Sequence, residues 1–399
     1  MTGSWTDSSR WPLVGLGKVA EVQLGKMLQP QPLHPDDQPT HYLRAGSLAE
    51  LTNLGELPTM FASPRDKKMY AVVPGDLIVA EGGDVGRPEF VPEVPPGAII
   101  QNSLHRVRPN PAAAEARFLK YALESIYLSN WLDVLCNRST FGHLTLEKLR
   151  SLQLPLPSTG SQRAIADFLD AETARIDTLI AKKKQLIALL VLRGEAAGSK
   201  LVMSEEDGCR TPLSSVFRIT KGIDAQRITA EYCAANEGPY PVYSGQTKGE
   251  FGSIDTFDFS IPGGAIVVST VGARVMNLTV VRGRFSLSQN CLLLIPHVPS
   301  QVRVEYFVPQ LRHLFRGLRA SIPEHMQPSL RVEDLRGKWL RVPPTSAQEE
   351  IVKRLAEIYS STSRGVEMTT RHIELLRERR QALIMAAVTG EFEVPGVAA

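Results

Sequence analysis

Two loops, Glu81-Gly82-Gly83-Asp84-Val85-Gly86-Arg87 and Ser269-Thr270-Val271-Gly272-Ala273-Arg274, each pair glycine with a closing arginine. Glycine lets a backbone come close to a phosphate, and the arginine fork matches O6 and N7 of guanine. Gly82, Gly83, Arg87, Thr270 and Arg274 are therefore candidates for contact with nucleic acid. Arg44, Arg138, His143, Gln246, Lys248 and Gln327 are further groups suited to bases or phosphates. Taken singly, each of these residues also fits an ordinary solvated loop.

Signatures of catalysis are missing. Gly15-Leu16-Gly17-Lys18-Val19-Ala20 superficially fits a dinucleotide fingerprint, with Asp36 and Asp37 some 20 residues on. Its second strand would have to fall in Gln29-Pro30-Gln31-Pro32, and the equivalent segment Pro212 to Gly222 lacks those glycines, so a short strand with turn glycines is the better reading. The chain has no Walker phosphate loop, nucleophile elbow or zinc helix, no aromatic signature of an amino-methyltransferase and no convincing nuclease cluster. Its eight histidines are scattered, and Cys136, Cys209, Cys233 and Cys291 form no Cys-x-x-Cys pair. No catalytic residue and no metal ligand is assigned, and a binding protein is expected.

A net charge of +3 permits nucleic-acid binding without demanding it. The best apolar run, Leu186 to Leu192, is far shorter than the ~20 residues a bilayer requires. Met1 to Arg10 is polar and unlike a signal peptide, so a cytoplasmic, reduced protein is expected.

The candidate residues sit in a chain that says nearly the same thing twice. Gln162-Arg163-Ala164-Ile165 with Leu169 returns as Gln348-Glu349-Glu350-Ile351 with Leu355, a shift of 348 − 162 = 186 residues. Leu146 to Arg150 pairs with Val332 to Arg336 at the same shift, and Gln101-Asn102 pairs with Gln289-Asn290 at 289 − 101 = 188. Each copy is long enough to be a domain with its own core.

Within each copy a globular part precedes a long helix. Thr159-x-x-Gln162 and Thr345-x-x-Gln348 read as capping-box starts. A heptad-like seam then holds Ile165, Leu169, Ile176, Leu179, Leu186 and Leu190 in the first helix, which extends to about Lys200. Ile351, Leu355, Ile358, Leu376 and Leu383 mark the second, whose poor middle, Ser360 to Gly365, suggests a bend or fraying. Antiparallel packing of the two as a rigid spacer is expected, the alternative being two amphipathic helices each lying on its own domain.

The globular parts read as mixed α/β of the α+β type. Short β runs are expected at Ala71 to Val73, Leu77 to Ala80, Ile99 to Ile100, Ala265 to Ser269, Leu278 to Val281 and Leu292 to Ile295, and helices at Glu115 to Leu135 and Arg303 to Arg319. The expected division is one domain at 1–157, a helical spacer at 158–203, a second domain at 204–344, a second spacer at 345–390 and a tail at 391–399.

In the order and duplication of these features the chain resembles the specificity subunit of Type I restriction-modification systems. The resemblance rests on the duplicated entry Leu149 to Pro155 and Leu335 to Pro343, the Gln-x-x-Ile helix starts, Pro74-Gly75-Asp76-Leu77-Ile78, and Arg380 to Ile384 running on to Ala387-Val388-Thr389-Gly390. It covers essentially the whole chain. It implies two target-recognition domains, each reading one half of a split site in double-stranded DNA, and no catalysis by this chain. Two adenine-methyltransferase subunits and separate restriction/translocase subunits are the implied partners. S-adenosylmethionine, ATP and Mg are then expected on those partners and not here. Two rival readings stay open: a coiled-coil scaffold for proteins, which preferential retardation of a specific duplex would exclude, and an enzyme with its own methyltransferase or nuclease site, which incubation with S-adenosylmethionine and DNA would reveal.

Overall fold

The computed structural model describes residues 9–46, 57–82, 84–129, 144–204, 208–245, 249–272, 275–323 and 326–397. The chain divides into two compact units, Met1–Lys183 with Arg371–Ala399, and Lys184–Thr370.

In the first unit, β1 (Leu13–Gly15) leads into one helical turn, α1 (Leu16–Val19), and then β2 (Ala20–Leu24). There follow β3 (Gln38–Leu43), β4 (Thr59–Ala62), α2 (Pro64–Tyr70), β5 (Leu77–Ala80), β6 (Pro88–Phe90), β7 (Ile99–Ile100), β8 (Leu104–Pro109), α3 (Ala116–Leu128), α4 (Leu146–Ser151) and β9 (Gln153–Pro155). An antiparallel sheet runs in the order β2-β8-β5-β6, a second in the order β4-β3-β7 with β3 parallel to β7, and β1 pairs with β9. All four residues of β5 are buried, which explains its unbroken apolar run. Of the strand expected at Ala71 to Val73, only a bridge from Ala71 to Ile99 forms. Buried Asp76 takes that segment into a turn instead, accepting the Val73 N–H at 3.0 Å and the Arg108 guanidinium through both carboxylate oxygens at 2.7 Å.

The second unit repeats this plan with longer strands. It holds β10 (Cys209–Pro212), α6 (Leu213–Val216), β11 (Phe217–Thr220), α7 (Ala230–Ala235), β12 (Tyr240–Tyr243), β13 (Glu250–Ile254), β14 (Phe259–Ser269), β15 (Leu278–Leu287), β16 (Cys291–Pro296), α8 (Val304–Ala320), α9 (Val332–Leu335) and β17 (Trp339–Val342). One sheet orders them β11-β16-β14-β15-β12-β13, and β10 pairs with β17. Here β15 pairs with β14 from Leu278 to Phe285, across a register shift between Ile261 and Ala265, and with β12 in parallel through Ser286 and Leu287, so one long strand does what β6 and β7 share in the first unit.

Two helices serve both units: α5 (Thr159–Met203) and α10 (Thr345–Thr389). In the first unit Ile165, Ala166 and Leu169 of α5 share a core with Ile384, Ala387 and Val388 of α10, while Lys183 lies 3.3 Å from His372. In the second unit Leu190 faces Gly365, Gly194 faces Thr362, and Gly198 faces Tyr359 and Leu355. In both units the paired numbers run in opposite directions, so the helices are antiparallel.

Their seam differs from expectation in detail. Ile165, Leu169, Ile176, Ile351 and Leu355 are buried, and Leu190, Ile358, Leu376 and Leu383 are half-buried. Leu179 and Leu186 stand outside it, 41% and 44% exposed, because the seam passes through Thr173, Ile176 and Ile180 and then Gly194 and Gly198. A reading that follows leucines misses a seam built in places from small and polar residues. For the same reason the poor middle of α10 neither bends out nor frays; Thr362 and Gly365 are there because Gly194 and Leu190 come close.

The helix starts also correct the capping-box reading. Ser158 caps α5, its hydroxyl accepting the Ser161 N–H at 3.2 Å. Gln162 is wholly buried: its amide donates to the carbonyls of Pro157 (2.9 Å) and Ala113 (3.2 Å), and its oxygen accepts the Glu115 N–H (2.8 Å). Gln348 does the same with Pro343 (2.9 Å), Gln301 (3.0 Å) and the Arg303 N–H (2.9 Å). These glutamines anchor the helix that closes each globular part. Further along, Glu124 of α3 pairs with Arg380 of α10 at 2.7 Å, whereas Arg312 and Arg316 of α8 lie 3.7 Å from Glu195 of α5.

Candidate nucleic-acid interface

In the second unit the residues of interest gather around the turn Ser288-Gln289-Asn290, which links β15 to β16. Asn290 adopts φ 63°, a left-handed conformation that asparagine tolerates better than most residues. The Asn290 carbonyl accepts the Thr270 N–H at 2.9 Å, and the Thr270 carbonyl accepts the Leu330 N–H at 2.8 Å. Val271 bridges to Ser329 beside it. Gly245 comes so close that a Cβ there would meet the Asn290 oxygen at 2.2 Å, so only glycine fits. Ser288 Oγ donates to the Ile228 carbonyl at 2.7 Å and fixes the loop that carries Asp224, Gln226 and Arg227.

These segments enclose an open cavity of about 920 Å³, lined among others by Lys221, Asp224, Arg227, Thr270, Asn290, Arg331 and Glu333. Arg227 stacks over the Tyr232 ring, 5.2 Å from its centroid. At the floor, burial pushes the Cys291 thiol up to about 12, so it is a neutral packing group. Cations and carboxylates alternate in the lining with neutral amides and hydroxyls. Such a surface offers both donors and acceptors, as base edges do.

The first unit builds the same hub around Gln101-Asn102-Ser103. Gln101 N–H donates to the Leu43 carbonyl at 2.9 Å, and Ser103 Oγ accepts the Ala45 N–H at 3.0 Å, placing Arg44 beside the turn. Glu81 N–H donates to the Ser103 carbonyl at 3.0 Å, and the Glu81 carbonyl accepts the Leu144 N–H at 3.1 Å. This chain of bonds parallels that of Asn290, Thr270 and Leu330. Lys26, whose carbonyl accepts the Asn102 N–H at 2.9 Å, is tied to Asp66 at 3.0 Å.

Of the residues picked out in the sequence, Arg44 and Gly82 adjoin the first hub and Thr270 lines the second. Gln327 is exposed, two residues before the bridge at Ser329. Arg87, 36% exposed, is held by Asp84 and Glu89 at 3.3 Å each, and those carboxylates raise its already high pKa against the opposing effect of burial. Gly83, Arg138, His143, Gln246, Lys248 and Arg274 lie outside the described residues. In the sequence Gln101-Asn102 and Gln289-Asn290 stand out only as repeat landmarks, and that duplication is the available signal for the hubs. Lys221, Arg227 and Arg331 carried no such signal, since the copies differ there. Among the described residues no cluster of His, Cys, Asp and Glu is suited to a metal, and no helix is long and apolar enough to cross a membrane.

The family described as the Type I restriction modification DNA specificity domain matches this chain twice, over residues 9–189 and 211–371. The chain belongs to that family, whose part is target specificity and not catalysis. It is similar to the Type I restriction enzyme EcoBI specificity subunit of Escherichia coli, with 21% identity over 369 residues, 81% of this chain and 74% of that one. A chain in a solved structure concerned with complex assembly and conformational transition of the type I R-M system is 18% identical. It matches 96% of this chain and 98% of its own at a TM-score of 0.65, which shows the shared fold.

Proposed function

We propose that this protein reads a bipartite, asymmetric target in double-stranded DNA, one half-site at each hub, and places partner subunits on it. The supporting observation is that two hubs with one hydrogen-bond plan present different side chains. Arg44 and Gly82 adjoin one, while Thr270, Arg227 and Lys221 line the other. A shared framework with unlike lining suits two readers of unlike sequences. Arg87, Gly83, Arg138, His143, Gln246, Lys248, Arg274 and Gln327 are retained as candidate contacts on the sequence argument.

In this reading the chain recruits two methyltransferase subunits and the restriction/translocase subunits, in the cytoplasm. S-adenosylmethionine, ATP and Mg belong to those partners. The exposed leucines of α5, including Leu179 and Leu186, are available for such docking. The experiment is the methylation pattern of DNA from cells expressing this chain with its methyltransferase partner. One motif with two unlike halves around an unread gap, methylated on both strands, is the expected result. A palindrome or an uninterrupted motif would count against the proposal.

A further inference from the structure

Residue 331 is where the two copies part company on a local rule of helix formation. In the first copy Thr145 precedes α4 and caps it, its hydroxyl accepting the Lys148 N–H at 3.4 Å. At the repeat shift, 331 − 145 = 186, the second copy has Arg331 before α9. Its backbone is extended like that of Thr145, but a guanidinium holds only donors and makes no cap bond. Asp334 bonds the Arg331 N–H at 2.7 Å, yet the hydroxyl's bond to the helix is gone. Losing a hydroxyl cap destabilises a helix start. A position that breaks a local rule in this way is often kept for function.

Arg331 is exposed, and it lines the cavity of the second hub one residue from Leu330, whose N–H is bonded to Thr270. We propose that Arg331 is a specificity-determining residue that reads a guanine in the half-site of the second unit, an assignment resting on the DNA-reading function above. Asp224 and Glu333 in the same lining favour a base over a phosphate. They repel a phosphate backbone laid along the cavity, but accept from the amino groups of cytosine and adenine. A guanidinium among them offers paired donors to O6 and N7.

The test uses the full chain with its methyltransferase partner, reading methylated motif, duplex affinity and melting temperature together. Arg331→Thr installs the cap of the first copy, so its melting temperature should hold or rise. Affinity for the parent site should nevertheless fall about 10- to 100-fold, the loss expected for one bidentate base contact. One guanine of one half-site should become any base while the other half-site stays unchanged. Arg331→Lys, which keeps the charge but loses the planar fork, should keep only a weakened preference for the same guanine. An unchanged motif and affinity in Arg331→Thr would overturn the assignment, as would an equal loss on every duplex, which marks a phosphate contact. A parent protein that prefers no duplex would overturn the DNA-reading function itself and this assignment with it.

Discussion

Gln162 and Gln348, 186 positions apart, make the same hydrogen bonds: each amide donates to a proline carbonyl at 2.9 Å and to a second carbonyl, and each accepts one backbone N–H. Both side chains are wholly buried, so water is poorly placed to substitute.

Gln162→Leu should leave two carbonyls and one N–H unpaired, and Gln348→Leu likewise. Each is expected to destabilise its unit by on the order of 3 kcal/mol, given ~1–3 kcal/mol for an unsatisfied buried group. Urea denaturation of the full chain measures this. Two nearly equal losses are expected; a cost in one copy only would mean that the glutamines are not equivalent.

Gly194→Ala and Gly317→Ala separate helix propensity from helix approach. A Cβ at residue 194 would meet Thr362 Oγ1 at 2.5 Å, with the threonine's Cγ2 and Cβ close behind, whereas at residue 317 nothing lies within 4 Å. Gly317→Ala should therefore stabilise by about 0.5–1 kcal/mol. Gly194→Ala should destabilise by about 1–3 kcal/mol through overpacking. Thr362→Ala in the same chain should rescue it, and melting temperatures of the three variants decide the matter.

His105 supplies a pH dependence. It is buried on β8, and its 2.6 Å contact with the Leu144 carbonyl requires the proton on Nε2. Burial lowers its pKa below the ordinary 6.5, against the opposing pull of that carbonyl and of Glu147. The unfolded chain therefore takes up a proton before the folded one does. Stability held above pH 6.5 should fall as pH drops below that value, and level off once the folded imidazole also protonates. Melting curves between about pH 5 and 7.5 should show less of this slope in His105→Gln, which keeps a donor near Leu144 without the titration. An equal slope in both proteins would remove His105 as its source.

Much of the architecture was legible because it is written twice: the Gln-x-x-Ile starts, the apolar runs of β5 and β14, and both long helices follow from repeated pattern. What escaped was set by close approach. Thr362 and Gly365 look like a break until Gly194 and Leu190 are placed opposite them. Leu179 and Leu186 look like a seam until Ile180 takes the inner position. At the candidate interface the landmark Gln289-Asn290 was visible but its role was not, because a hub is defined by what converges on it from Gly245, Thr270 and Leu330. Arg331 needed both copies side by side, since an arginine before a helix means little until a threonine is found in its place.

The ion pairs along α3 and α8 give the two globular parts one contact in common and one of opposite sense. At their starts the closing helices agree, Arg117 pairing with Asp167 and Asp170 of α5 and Arg303 with Glu349 of α10; farther along, the first copy sets Glu124 against Arg380 of the spacer, and the second sets Arg312 and Arg316 against Glu195. The glutamine anchor is common to both and acts as a universal socket, while the reversed polarity acts as a key. A domain grafted into the opposite position would keep the first contact but set Glu124 against Glu195, or Arg312 and Arg316 against Arg380. An exchanged domain is therefore best accommodated when it travels with the stretch of helix that carries its counter-charge.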